Sequence, residues 1–355
     1  MLAQATVTID LGKIAENTRR VVEAVPGVEV VAVTKVTCGS PEVARAMLAG
    51  GASGLADSRL ENVAKLRDTG IAVPIWLLRA PTPALAEDTV LLTDVSLESE
   101  PATLEALDRA AARLGKRHGV VAMVDLGDLR EGVLPEDLPA LLASAAHLTN
   151  LDIVGIGTSL TCYGAIVPTE ENLGRLVDLA RAAEEQLGRP LLVSGGMSSS
   201  LDLAATKKLP AGVTNLRIGE SIILGVSTVT REPILGLHTD AITVSMPVIE
   251  CLRKPSRPVG ESAQDAFGNV PEFEDRGVRR RAICALGRQD AEPSGLRPLD
   301  ARVVVLGASS DHLILDVEDL PVPPAVGDAI DFVPGYGATL HLFTSPYVRK
   351  EYVGG

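Results

Sequence analysis

Val28-Glu-Val-Val-Ala-Val-Thr-Lys35, followed at once by Val36-Thr-Cys-Gly39 and Ser40-Pro41-Glu42, decides the fold. The run is rich in β-branched residues and bounded by glycine and proline. It therefore reads as a buried strand that delivers its last residue at a strand C-terminus. In barrels of alternating strand and helix, catalytic groups gather at that end. A lysine in a core strand is a buried charge unless its pKa shifts or its amine is bonded covalently. Such an amine is a natural nucleophile toward carbonyl compounds. Taken alone, Lys35 reads more readily as a lysine that snorkels to solvent, and it is its surroundings that reverse this.

Working outward, short apolar runs alternate with amphipathic stretches as far as about Gly225. After the Lys35 strand the candidate strands are Gly54–Asp57, Pro74–Arg79, Thr89–Asp94, Val120–Asp125, Asp152–Gly157, Leu191–Ser194 and Asn215–Ile218. Helical segments run from Pro101 to Gly115, Thr169 to Gly188 and Ser199 to Lys208, and an extra helix near Leu11 to Ala24 precedes the first strand. Eight such units without a GxGxxG fingerprint predict a closed (β/α)8 barrel of the TIM type over residues 1–228, in preference to an open doubly wound sheet. Beyond it the texture changes to strand-like runs, Thr239–Glu250, Arg281–Leu286, Ala301–Leu306, His312–Asp316 and Ala329–Val333. These predict a smaller, mainly antiparallel β domain over residues 229–355. The Arg253–Arg276 stretch, rich in proline, glycine and charge, reads as a long loop of the kind that tends to be functional.

The chain has 355 residues, 46% of them hydrophobic, enough to bury a large core and to form two domains. A formal charge of -13 argues against nucleic acid and anionic membrane surfaces as partners. Met1–Asp10 lacks the basic and long apolar regions of a signal peptide, and no apolar run reaches the length of a membrane span, so the expected location is cytoplasmic. Cys38, Cys162, Cys251 and Cys284 are scattered without CxxC spacing, and neither a disulfide framework nor a metal site is expected.

Each barrel strand then delivers polar groups to one rim. Arg130 lies just past the strand ending at Asp125, and Gly157-Thr-Ser-Leu-Thr-Cys-Tyr-Gly164 closes the next. Ser194-Gly-Gly-Met-Ser-Ser-Ser200 combines glycines that allow close backbone approach with serines at a helix start, a pattern able to cradle a phosphate. Leu216-Arg-Ile-Gly-Glu220 places Arg217 on the last strand and Gly219 at another helix start. Phosphate sites in barrels commonly use the loops after the last two strands.

In this order, the lysine strand, Val124-Asp-Leu-Gly-Asp-Leu-Arg-Glu-Gly132, the Ser/Gly turn and Arg217-Ile-Gly219 ahead of a β domain, the chain resembles the alanine racemase family of fold type III pyridoxal-phosphate enzymes. It is closest to the ornithine racemase branch, through Val33-Thr-Lys-Val-Thr-Cys-Gly39, Asp57-Ser-Arg-Leu-Glu-Asn62, Gly155–Gly164, Pro168-Thr-Glu-Glu-Asn172 and Arg217–Glu220. The resemblance covers nearly the whole chain. It implies that Lys35 holds pyridoxal phosphate covalently and acts as one catalytic base. Arg217 would bind the pyridine nitrogen, and Arg130 would lie near the phenolate oxygen. Ser198, with backbone donors from Gly219 and Glu220, would bind the phosphate, next to Ser194 in the same turn. An arginine at the pyridine does not readily give up its proton, which favours simple proton exchange over deeper electron-sink chemistry. Read without the resemblance, Arg130 and Arg217 are structural salt bridges and Ser198 is a helix N-cap.

The chain also departs from the family. The family's tyrosine base, supplied by the partner subunit, corresponds to Phe267 in Asp265-Ala-Phe-Gly-Asn269, and a phenyl ring carries no exchangeable proton. Asp265 and Asp311 are the candidates for the second catalytic acid/base, with Cys162, Tyr163, Cys284 and His312 behind them. The family's ring-stacking histidine corresponds to Ser159. Gly39 stands where a phosphate-binding tyrosine is expected, and Tyr336, in Gly335-Tyr-Gly-Ala338, is a substitute phosphate contact or else a strand-edge packing residue. The resemblance thus implies a homodimeric racemase interconverting L and D amino acids, on ornithine or another basic amino acid, with alanine or broad specificity as the alternative. A pyridoxal-phosphate carrier shares the lysine barrel but lacks a second domain. A metal-assisted aldolase or dehydratase needs a His/Cys pair that His312 and Cys284 do not supply by spacing.

Overall fold

A computed structural model describes residues 4–355. The first three residues of the N-terminal stretch, and of the expected 1–228 domain, lie outside it. The chain opens with strand β1 (Thr6–Asp10) and helix α1 (Leu11–Ala24). Eight parallel strands then close into a barrel: β2 (Glu29–Val33), β3 (Gly54–Asp57), β4 (Ile75–Leu77), β5 (Val95–Glu98), β6 (His118–Met123), β7 (Leu151–Gly157), β8 (Leu192–Ser194) and β9 (Asn215–Ile218). β9 pairs back onto β2, Val31 opposite Arg217. The helices between them are α2 (Pro41–Ala49), α3 (Leu60–Asp68), α4 (Ala86–Leu92), α5 (Pro101–Leu114), α6 (Leu138–Ala145), α7 (Glu170–Leu187) and α8 (Leu201–Ala205), and α9 (Glu220–Leu224) follows β9.

The interior fills as period-two alternation requires. Val31, Val33, Ala56, Trp76, Leu97, Val121 and Met123 form one buried cluster inside the barrel, with Val95, Val154 and Leu192 against it. Gly157 is glycine for a packing reason: a Cβ there would lie 2.9 Å from Val121 and 3.3 Å from Ser194. Asn17 of α1 is fully buried and bonds the backbone of Ile222 (2.9 Å) and His238 (3.0 Å), fastening this helix to the end of the barrel chain.

The strand expected at Thr89–Asp94 is instead α4, and β5 begins only at Val95. Its apolar run is short enough to serve either period. An acidic first turn at Glu87 and Asp88 favours the helix, which buries Ala86, Thr89 and Val90 on one face. Val95 and Ser96 then pair with Trp76 and Leu77 of β4.

A second compact unit comprises residues 4–10 and 240–354, the barrel unit taking residues 11–239. The division expected after residue 228, with all of the N-terminal stretch in the barrel, differs from this in two ways. β1 belongs to the second unit because it pairs antiparallel with β10 (Ile242–Pro255) and parallel with β16 (Arg349–Val353). The barrel chain also continues to Thr239. The sheet runs β12 (Leu296–Pro298), β15 (Ala329–Pro334), β10, β11 (Val278–Cys284), β14 (Leu313–Asp316), β13 (Val304–Ala308). Residues 256–277 form the expected long loop without helix or strand. Tyr336 is not at a strand edge: it begins helix α10 (Tyr336–Thr344), which the strand-like reading of this region missed. Among the described residues no helix is long and apolar enough to cross a membrane.

β5 carries an unusual buried acid. Glu98 is 1% exposed and faces away from the barrel interior that Leu97 lines. Neither carboxyl oxygen has a hydrogen-bond partner. Burial pushes its pKa up from 4.5 to about 8, offset only a little by Ser96, whose hydroxyl lies 3.0 Å from His118 Nε2. Burial likewise holds His118 neutral, pushed down to about 4. Between 4.5 and about 8 the folded chain keeps a proton on Glu98 that the unfolded chain releases, so stability falls as pH rises through that window and levels off above it. Urea unfolding should therefore show Glu98→Gln more stable than the native protein by roughly 1–3 kcal/mol at about pH 9, the difference shrinking toward about pH 5.

Candidate active site

The C-terminal ends of the barrel strands carry the candidate residues. Gly219 sets their closeness, since any Cβ there would lie 2.8 Å from Val33 Cβ. The end of β9 thus abuts the end of β2, and Lys35 follows two residues after β2 in a 3-10 turn, Lys35–Thr37. Lys35 is half-buried, and its charge reaches the carboxyl of Glu220. Burial raises that carboxyl's pKa, while the ion pair with Arg231 and the charge of Lys35 pull it partly back.

Arg217 points along the same inward row as Asn215 on β9 and is 2% exposed. Its guanidinium donates to Ser194 Oγ, to the Thr158 carbonyl at 2.7 Å and to Ser159 Oγ at 3.3 Å. Ser194 in turn donates to Asn215 Oδ1 at 2.6 Å. Burial pulls the Arg217 pKa down to about 10, with Glu131 and Cys162 opposing and Arg130 assisting, so the group still holds its proton at neutral pH.

Arg130 stands exposed at the rim and is paired with the carboxylate of its neighbour Glu131. Burial acts to lower its pKa, but the bond to Glu131 and the nearby Cys162 and Asp128 outweigh that and raise it. Asp128, fully buried, accepts from the Tyr163 amide at 2.9 Å and so ties the loop after β6 to the loop after β7. Cys162, exposed in that second loop, lies 3.0 Å from Met197 Sδ.

Ser198 is no cap of its own helix. Its Oγ accepts from the backbone amides of Gly219 (3.3 Å) and Ser221 (3.2 Å), joining the loops after β8 and β9. Three buried polar atoms here, Thr158 Oγ1, Ser199 Oγ and Asn215 Nδ2, have no partner in the protein. Buried donors and acceptors without partners suit a site that receives a polar ligand. With the cationic Arg217 beneath and Lys35 beside them, the set fits an anionic, carbonyl-bearing ring compound such as pyridoxal phosphate.

Asp265, Asp311 and Tyr336 belong to the second unit. Asp265 caps a turn, accepting from the amides of Phe267 (2.9 Å) and Asn269 (2.8 Å), and these bonds hold its carboxyl below the usual range. The Phe267 ring lies under the Arg288 guanidinium, 4.8 Å from its centroid. Asp311 accepts from Ser310 Oγ at 2.6 Å and, with His312, Gln289, Asp290 and Tyr347, borders a cavity of about 400 Å³. Cys284 is buried in β11, its thiol pushed up to about 12. Among the described residues no three His, Cys, Asp or Glu side chains gather as a metal site. Sequence reasoning overlooked Thr158, Asn215 and Ser221; Asn215 was accessible to it, standing two residues before Arg217 and therefore on the same strand face.

The model of the alanine racemase N-terminal domain matches residues 9–226. The chain belongs to the alanine racemase family. It is 44% identical to an ornithine racemase of Acetoanaerobium sticklandii over 349 residues, covering 97% of this chain and 98% of that protein. It is 39% identical to a lysine racemase of Thermotoga maritima, covering 97% of each. The fold is that of an alanine racemase of Bartonella henselae solved with covalently bound pyridoxal phosphate, with a TM-score of 0.75 at 18% identity over 99% of this chain and all of the other.

The Ser198 bridge can be tested without any ligand. Ser198→Ala should lower stability by about 1–2 kcal/mol in urea, because the buried Gly219 and Ser221 amides lose their acceptor. A variant of native stability would show that these amides have another acceptor.

Proposed function

We propose that this chain is a pyridoxal-phosphate-dependent racemase of basic amino acids, ornithine or lysine, working as a homodimer. The observation that carries the reading is full-length similarity to racemases named for those two substrates, together with a half-buried lysine and a buried arginine at the mouth of the barrel. The second unit, residues 4–10 and 240–354, argues against the carrier, which has no such unit. The alanine and broad-specificity readings rank below the basic one, since the ornithine and lysine racemases match over 97% of the chain, whereas alanine racemases match at 36% over only 40% of it or at 26% over 83%.

Pyridoxal phosphate, when bound, makes the Cα proton of an attached amino acid acidic. The residues do the rest. The Lys35 amine would hold pyridoxal phosphate through its carbonyl carbon and, when free, would hold or move the Cα proton on one face. Arg217 keeps its own proton and would bind the ring nitrogen without giving that proton up, which would favour simple proton exchange over other outcomes. Ser198, Ser199 and the Gly219 turn would hold the phosphate and Arg130 would lie toward the phenolate oxygen, while Ser194 and Ser159 hold Arg217 in place. For the opposite face, Asp311 suits the role better than Asp265, whose carboxylate is already taken up by its turn. The net negative charge of the chain does not repel a dibasic substrate.

Incubation of the loaded protein in D₂O with single L-amino acids tests this directly. Cα–H exchange and formation of the D enantiomer are expected for L-ornithine or L-lysine, at least about tenfold faster than for L-alanine. Lys35→Ala should abolish both. Absence of exchange across basic and small amino acids, with Lys35 carrying the cofactor, would overturn the racemase assignment.

A further inference from the structure

The turn that presents Lys35 is held from outside the barrel mouth. Thr34 is fully buried, and its hydroxyl donates to Asp57 Oδ2 at 2.7 Å. The Thr34 carbonyl receives Thr37 Oγ1 at 2.9 Å, the Thr37 amide at 3.0 Å and the Gly39 amide at 3.3 Å, so the turn closes on this one residue. Asp57, at the end of β3, is 0% exposed and forms none of the ion pairs found among the described residues. Its other oxygen accepts from Asn62 Nδ2 at 2.9 Å and from the Arg59 amide at 3.0 Å.

The far end of the turn meets the same pair. Gly39 has φ +60°, and a Cβ on it would stand 2.7 Å from Asn62 Cβ and 3.0 Å from the Asn62 carbonyl. Between Lys35 and Gly39, Cys38 sits in the left-handed region at φ 50°. A non-glycine residue persists there only when its surroundings over-determine the backbone. Asp57 and Asn62 bound the turn on both sides: a hydrogen bond grips Thr34 before the lysine, and Gly39 after it lies so near Asn62 that only a residue without a Cβ fits. The same contact leaves no space for a tyrosine at position 39.

We propose that Asp57 and Asn62 are positioning residues that fix the Lys35 amine for its reaction with the cofactor carbonyl, acting through Thr34 and Gly39. This rests on the role of Lys35 given above. A buried carboxylate costs stability unless bonded, and the Asp57 side chain divides its bonds between Thr34, which opens the lysine turn, and Arg59 and Asn62 of the segment that leads from β3 into α3. Lysine attack needs an approach set to within about 1 Å, beyond which rates drop about a hundredfold.

The test uses cofactor-free native protein and the variants Thr34→Val, Thr34→Ser and Asn62→Ala. Pyridoxal phosphate is added, samples are quenched with borohydride at intervals, and peptide mass spectrometry gives the fraction of Lys35 labelled. Thr34→Val, which keeps shape but loses the hydroxyl, should label at least about tenfold more slowly; Thr34→Ser should stay within about twofold of native, and Asn62→Ala should fall about threefold. Once loaded, Thr34→Val should lose kcat for proton exchange while KM stays within about twofold. Native-rate labelling of Thr34→Val, or a Thr34→Ser variant as slow as Thr34→Val, sinks the positioning role and leaves the racemase reading intact. No label on Lys35 in the native protein sinks the cofactor reading, and the positioning role with it.

Discussion

A guanidinium enclosed on all sides must have acceptors facing it, and at the mouth of this barrel that requirement falls on Arg217. Unpaired, such a charge costs several kcal/mol. Ser194, Thr158 and Ser159 meet it from β8 and from the segment after β7, and Asn215 holds Ser194 in turn. Replacing Ser194, Ser159 or Asn215 leaves a buried polar group short of a partner, and the Thr158 carbonyl fixes the backbone between them, so the ends of three strands are committed to one geometry. The bulky aliphatic layer beneath, Val31, Val33, Val121 and Met123, keeps water from doing the same job.

A comparable dependence links β2 and β3. Their register places Val33 beside Ala56, so the residues that follow, Thr34 and Asp57, come within bonding distance. A single parallel pairing therefore controls where the chain turns after β2. The inward odd-numbered row of β2 delivers the lysine side to the mouth, while the outward row delivers the threonine to its carboxylate. Orientation and reactivity are thereby divided between two adjacent residues with opposite facing.

Much of this was readable from the chain. The β-branched run ending at Lys35, and the alternation through Val120–Asp125 and Asn215–Ile218, specify buried strands because parallel strands covered on both faces are apolar throughout. Thr89–Asp94 was misread because three consecutive apolar residues satisfy helix and strand alike, and only pairing with β4 settles the matter at Val95. β1 and β16 escaped notice because each is stabilised by strands hundreds of positions away, a relation that no local window contains. The rim residues Lys35, Arg217 and Ser198 could be picked out as polar groups at strand ends. Their partners could not, since Thr158, Ser221 and Asp57 acquire meaning only when the strand register brings separate loops together.

The pairing of β1 with both β10 and β16 makes the second unit discontinuous: the entire barrel is spliced into it between Asp10 and Asp240. During synthesis from the ribosome, β1 emerges long before any strand it can pair with. The barrel, whose neighbouring strands follow one another closely, is able to assemble first and bring Asp10 and Asp240 into range. Closing so long a loop costs only a logarithm of its length, yet it cannot be completed until β16 has left the exit tunnel. An arrest of translation short of Arg349 would leave β1 paired with β10 on one side and open on the other, an exposed sheet edge prone to aggregate and a natural client for chaperones.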